Sequence, residues 1–87
     1  MLVRMMTMTI GMAVRQRILD LCDKENISIN RLCTQSGITQ STINNIISGR
    51  NNSTTISTIK KLCDGLGISI QDFFSAEIFQ DLEQEVR

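Results

Sequence analysis

Residues 32–49 read LCTQSGITQSTINNIISG, and no other stretch constrains the fold as tightly. Leu32 and Cys33 form the apolar face of a short helix that stops at Gly37, where glycine supplies the positive φ a helix end commonly needs. Ile38 plugs the turn. Thr39 is a good N-cap for a new helix, which keeps its apolar residues to one side, runs to Ser48 and is ended by Gly49. Two helices joined by a glycine-centred turn of about three to four residues make a helix-turn-helix.

The flanks extend this pattern. Over residues 12–25, Val14, Ile18, Leu21 and Cys22 recur at helical spacing, and Asn26 closes that first helix. Ser28 is a suitable cap for the second helix, through about Gln35. RNNSTT (residues 50–55) is a polar loop. Thr55 caps a fourth helix with the stripe Ile56, Ile59, Leu62, Cys63 and Leu66, stopped at Gly67. Ser69-Ile70-Gln71-Asp72 resembles a capping box opening a short fifth helix that buries Phe73 or Phe74. Ile78, Phe79, Leu82 and Val86 suggest a sixth, amphipathic helix. No segment alternates with period two for long enough to be a strand. The predicted fold is all-α, a bundle of five short helices plus a C-terminal amphipathic helix.

There is no Pro, no repeat and no low-complexity tract, so no internal boundary is expected in the 87 residues. The expected division is a disordered leader at residues 1–11, a helical domain at 12–75 and an acidic C-terminal helix at 76–87. All five Met lie at positions 1, 5, 6, 8 and 12, none in the expected core. Met1 and Met12 are both open as translation starts.

Composition narrows the function. One small domain of this length holds a single modest core. No apolar run approaches the roughly 20 residues that span a bilayer, and MLVRMMTMTIGM is too short and too interrupted by Thr for a signal peptide. Cys22, Cys33 and Cys63 form no CxxC, and the chain has no His, so a zinc site is not expected. An odd number of cysteines without a secretory signal points to a reducing, cytoplasmic setting, with Cys33 and Cys63 packed as small hydrophobes. With no glycine-rich phosphate loop and no nucleophile beside a base, an enzyme is not expected, nor a cofactor. No effector pocket is visible. Residues 1–75 hold eight Lys/Arg against five Asp/Glu, giving +3, and residues 76–87 hold Arg87 against Glu77, Asp81, Glu83 and Glu85, giving −3. A weakly basic body is compatible with a polyanion, but its attraction to phosphate is modest.

At about 100° per residue, Ile43, Ile46 and Ile47 fall on one side of the third helix. Gln40, Ser41, Asn44, Asn45 and Ser48 fall on the other, with Thr42 on the flank. Ser, Thr, Asn and the β-branched Ile are indifferent or poor helix formers, so packing of the isoleucines must hold this segment. A merely solvated face would more often carry Glu and Lys. Neutral amides and hydroxyls are what base-edge recognition needs: Asn and Gln bond adenine N6/N7 bidentately, and Ser/Thr serve several bases.

On these residues the chain resembles the Cro and phage-repressor class of helix-turn-helix proteins, the XRE family, over roughly residues 14–74. Leu32-Cys33 stand where the family has Leu-Ala, and Gly37 lies at the turn. ITQSTI (residues 38–43) matches its frequent Val-Ser-Gln-Ser-Thr-Ile, and KLCDGLGIS (residues 61–69) is similar to KIADALGVS. The resemblance implies a sequence-specific DNA-binding transcriptional regulator whose third helix enters the major groove. It implies base contacts at Gln40, Ser41, Thr42, Asn44 and Asn45. Phosphate contacts are implied at Ser28 and Asn30, and at Arg50, Asn51, Asn52, Thr54 and Thr55.

The chain departs from the family in places. Ile29 replaces a frequent Gln at the second residue of helix two. Cys22 and Ile47 occupy positions where several members pair Arg with Glu, and removing both partners is the tolerable way to lose a partly buried ion pair. The loop carries one cation, Arg50. With no Arg or Lys on the third helix, the commonest guanine contact is missing, and a preference for A·T pairs is expected.

Proteins of this class usually bind as dimers to half-sites about one helical turn apart, so the expected partner is a pseudo-palindromic, A·T-rich operator. Ile78, Phe79, Leu82 and Val86 would leave an exposed apolar stripe unless covered. Either the last helix folds back on its own domain, or a second copy covers it, and homodimerisation is the favoured expectation. The alternative function is a protein-interaction module or antitoxin, with this acidic helix docking on a basic partner.

Overall fold

The structure, a computed structural model, describes residues 8–49 and 53–84. Five α-helices follow one another: α1 (Ile10–Glu25), α2 (Ile29–Ser36), α3 (Gln40–Ile47), α4 (Ile56–Leu66) and α5 (Ile70–Phe73), and then a 3₁₀ turn, Glu77–Phe79. Among the described residues there is no strand, and an isolated parallel bridge joins Met8 to Leu82.

Local chemistry sets each helix start. Thr9, Ser28, Thr39, Thr55 and Ser69 are the N-caps, and their hydroxyls accept from the amides of Met12, Arg31, Thr42, Thr58 and Asp72 at 2.9–3.2 Å. Each such cap stabilises its helix by about 1 kcal/mol. Gly37 ends α2 at φ 69°, a left-handed conformation that costs glycine nothing. Asn26 ends α1 at φ 56°, the only non-glycine residue with positive φ among those described.

The core draws on every helix. Val14, Ile18, Leu21 and Cys22 of α1 meet Leu32 and Cys33 of α2, Ile43 and Ile46 of α3, Ile59, Leu62 and Cys63 of α4, and Phe73 of α5. Full burial of one aliphatic side chain stabilises by about 1.5–3 kcal/mol. Ile43 and Ile46 therefore outweigh the weak helix propensity of the residues around them. α2 packs most extensively on α4, while α1 touches α2, α3 and the 3₁₀ turn.

All three cysteines are buried and free. Burial pushes each thiol above its ordinary range; Cys33 adds to this at Cys22, and the Asp64 carboxylate adds to it at Cys63. Since the thiolate is the reactive form, native protein at neutral pH should react with a disulfide reagent at least about 100-fold more slowly than denatured protein. Stopped-flow absorbance in buffer and in guanidinium measures this, and equal rates would contradict the burial.

The ends of the chain differ from expectation. Helix α1 begins two residues before Met12: Thr9 caps it, and Met8 pairs with Leu82, with Glu83 N–H donating to the Met8 carbonyl at 2.9 Å. The expected leader therefore reaches no further than residue 7, and residues 1–7 lie outside the described ones. The sixth helix is absent through Gln84. In its place Ile78 and Phe79 sit in or beside the 3₁₀ turn and Leu82 is in the bridge. Two physical causes are visible. Ala76, at the start of this turn, offers no capping hydroxyl. Phe79 is drawn onto Phe73 and Phe74, at 6.0 and 4.8 Å between ring centroids, a geometry aromatic rings favour. Ile78, Phe79 and Leu82 are half-buried, so these three do not form an open apolar stripe; Val86 lies outside the described residues. In α4, Ile56 is 75% exposed and does not join the buried stripe. At the end of α5, Phe73 is the buried ring and Phe74, just past the helix, stays 38% exposed.

Candidate nucleic-acid interface

Helix α3 presents the expected strip. Ile43 and Ile46 are buried and Ile47 is half-buried against the core. On the opposite side Gln40, Ser41, Asn44 and Ser48 are exposed, with Thr42 and Asn45 half-buried on the flank. Gln40 Nε2 lies 3.5 Å from Asn44 Oδ1, a long and weak contact, so both amides are available for other partners. Thr39 Oγ1 caps α3 and donates to Thr42 Oγ1 at 2.9 Å.

Next to the strip lies a cleft of about 160 Å³, lined by Thr42, Asn45 and Ile46 of α3 and by Ser53, Thr54, Thr55 and Thr58. Thr55 repeats the chemistry of Thr39, capping α4 and donating to Thr58 Oγ1 at 3.0 Å. The structure thus brings two expected base-contacting residues, Thr42 and Asn45, beside two expected phosphate-contacting residues, Thr54 and Thr55. Ser28 and Asn30 stand apart at the α2 N-terminus, both exposed. Arg50, Asn51 and Asn52 lie outside the described residues.

Thr58 was not expected at this cleft, whereas Ser53 belongs to the loop of residues 50–55 from which phosphate contacts were expected. Thr58 joins it because α4 starts beside α3, a juxtaposition that sequence spacing does not display. On the other side of Ser53 and Thr54 opens a larger apolar groove of about 540 Å³, lined by Ile10, Val14, Ile56, Ile59 and Phe74 with Glu83 at its margin. Two α1 arginines were also missed. Arg15 Nε donates to the Ile47 carbonyl at 2.6 Å. Arg17 donates to the Phe73 and Asp72 carbonyls, both at 2.7 Å. Among the described residues no group of three or more His, Cys, Asp or Glu is placed to hold a metal ion, and no helix is long and apolar enough to cross a membrane.

A short uncharged helix held outward by buried isoleucines, behind a glycine turn, is the arrangement of a nucleic-acid reader. Residues 17–77 match the family model of the Cro/C1-type HTH DNA-binding domain. This chain belongs to that family. The crystal structure of the prophage Lp1 protein 11 is similar to this Cro/C1-type domain, with a TM-score of 0.77 and 38% sequence identity, covering 87% of this chain and 100% of that one. Comparison with curated proteins finds no match. As a Cro/C1-type domain the chain is a DNA-binding helix-turn-helix protein, with α2 as its first helix and α3 as its second.

Proposed function

We propose that this chain is a transcriptional regulator of the Cro/repressor type, acting in the cytoplasm as a homodimer on a pseudo-palindromic, A·T-rich operator. Helix α3 enters the major groove. Gln40, Ser41, Thr42, Asn44 and Asn45 face base edges, and Thr54, Thr55, Ser28, Asn30 and the segment Arg50, Asn51, Asn52 hold phosphates. The observation that carries the proposal is the exposed strip of amides and hydroxyls on α3, backed by buried Ile43 and Ile46. A prophage protein 38% identical over its whole length favours a phage-type regulator. Selection of binding sites from random duplexes tests it. The expected product is two inverted A·T-rich half-sites about one helical turn apart; half-sites made only of G·C pairs, or no enrichment, would refute it.

For the dimer contact we favour the apolar groove over the tail residues Ile78, Phe79, Leu82 and Val86. Ile78, Phe79 and Leu82 are half-buried, whereas Ile56 stands 75% exposed at the edge of the apolar groove, with Phe74 beside it. A two-fold arrangement lets each Ile56 enter the partner's groove, the self-complementary geometry an isologous contact requires. Ile56→Asp should weaken operator binding by about 30-fold, the size of a modest hot spot. The thermal midpoint should stay near that of the parent, because an exposed side chain contributes little to the fold. Sedimentation at tens of micromolar gives the companion reading, and a monomeric parent both alone and on operator DNA would exclude the dimer. The antitoxin alternative rested on an acidic terminal helix; through Gln84 the segment is not a helix, although Glu77, Asp81 and Glu83 are exposed.

A further inference from the structure

We infer that Arg15 is a positioning residue for the reading helix: reaching across from α1, its guanidinium fastens the C-terminal end of α3 and so fixes the angle at which Asn44 and Asn45 are presented. The inference rests on α3 being the helix that reads DNA.

The last carbonyls of a helix have no partner within it, and a cation there also opposes the negative end of the helix dipole. Helix α3 has no basic residue in its last turn. The Asn44 and Ile46 carbonyls accept from Ser48 and Gly49 N–H. The Ile47 carbonyl accepts from Arg15 Nε at 2.6 Å, 32 residues away, a short contact from a charged donor. The donor stands on firm ground. Ala13 and Val14, the residues before Arg15, are 0% and 5% exposed, so the side chain springs from a buried stretch of α1.

The recipient needs such support. Residues 40–47 read QSTINNII, with no strong helix former except Gln40; the helix is only eight residues long and would fray without tertiary contacts. Asn44 and Asn45 lie within one turn of the fastened carbonyl, so fraying there would scatter their amides. Where several relatives use an Arg–Glu pair between helices one and three, this chain has Cys22 and Ile47. Arg15 is seven residues before Cys22, on the same face of α1. It acts on backbone, so the clasp does not depend on the side chain at position 47. Arg17 supplies an internal comparison, since it makes the same kind of contact to the end of α5 and none to α3.

The test uses the full chain carrying Arg15→Met, Arg15→Lys or Arg17→Met, the selected operator and a scrambled duplex of equal length. Arg15→Met should weaken operator binding by about tenfold, the loss of one hydrogen bond to a charged group. Scrambled-duplex affinity should stay within about twofold, and the salt slope of operator binding should be unchanged. Amide exchange over residues 44–49 should accelerate, Arg15→Lys should recover part of the affinity, and Arg17→Met should leave the ratio of operator to scrambled binding at the parental value. A fall in both affinities together with a slope smaller by about 0.9 would mark Arg15 as a phosphate ligand and overturn the inference. So would an unchanged ratio with unchanged exchange in α3. If Arg15→Met fails to fold, the same comparisons on Arg15→Lys decide. Gln40→Ala with Asn44→Ala separates the two levels. If that pair leaves operator binding intact, α3 is not the reader; if it abolishes binding while the Arg15 variants do nothing, only the role of Arg15 falls.

Discussion

Gly65→Val should lower the thermal midpoint of this domain by about 15 °C or more, the largest stability loss expected from any single exposed or half-buried position. Gly65 lies near the end of α4, with ordinary helical φ, where propensity alone would favour alanine by about 1 kcal/mol. Packing reverses the sign. A Cβ at Gly65 would overlap Ser36 Oγ and approach the Ser36 Cα and N at 3.0 Å. The hydroxyl could turn away, but the α2 backbone could not. The crossing is tied by Gln35 Nε2, which donates to the Gly65 carbonyl at 2.8 Å, so α2 cannot drift without breaking that bond. Overpacking of this kind costs about 1–3 kcal/mol for small additions, and valine adds two further methyls and a stiff χ1. Because α2 packs chiefly on α4, the strain falls on the largest interface in the fold. Ser36 Oγ is itself buried without a hydrogen-bond partner. Ser36→Ala should therefore stabilise by about 1 kcal/mol and partly rescue Gly65→Ala, a coupling that a double-mutant cycle by thermal denaturation reads directly. If Gly65→Ala is stabilising on its own, the close approach of α2 and α4 is wrong.

What was legible in the sequence was local. Ser28, Thr39, Thr55 and Ser69 announced four helix starts because a cap acts within three residues of itself, and the isoleucines of α3 announced its inner face through a period of 3.6. Thr9 was missed because the methionines around it suggested a leader, although its hydroxyl caps α1 as the others cap theirs. The spacing of Ile78, Phe79, Leu82 and Val86 fits a helix, yet Phe79 finds better partners in Phe73 and Phe74. A tertiary contact overrode the local period there. Ile56 belongs to its stripe by spacing, but the first turn of α4 projects past the core. The polar face of α3 was visible because all its residues sit on one short helix. The Arg15–Ile47 clasp spans 32 residues, and the apolar groove assembles parts of α1, the loop before α4, α4, Phe74 and Glu83; neither leaves a pattern in any window of the chain.

Replacing Gln40 and Asn44 together by alanine should reduce operator affinity by roughly 10³-fold or more while the fold stays intact. Both side chains are exposed on α3, and each bidentate amide–adenine contact discriminates by about 1–3 kcal/mol. A dimer loses each contact twice, once per half-site. Stability should hold or rise slightly, since alanine exceeds asparagine in helix propensity by about 0.5 kcal/mol and, among the described residues, the side-chain bond broken is the 3.5 Å contact between the two amides. Non-specific binding and the salt slope should be unchanged, because both report phosphate contacts that these residues do not make. The decisive comparison changes the DNA as well. Replacing the A·T pairs beneath the two amides by G·C should weaken the parent by the same factor and leave the double variant indifferent, since a contact already lost cannot be lost again. Fluorescence anisotropy with the four protein–operator combinations measures that coupling. Simple additivity of the protein and DNA changes would mean that these amides do not read those bases, and the strip on α3 would then need another partner.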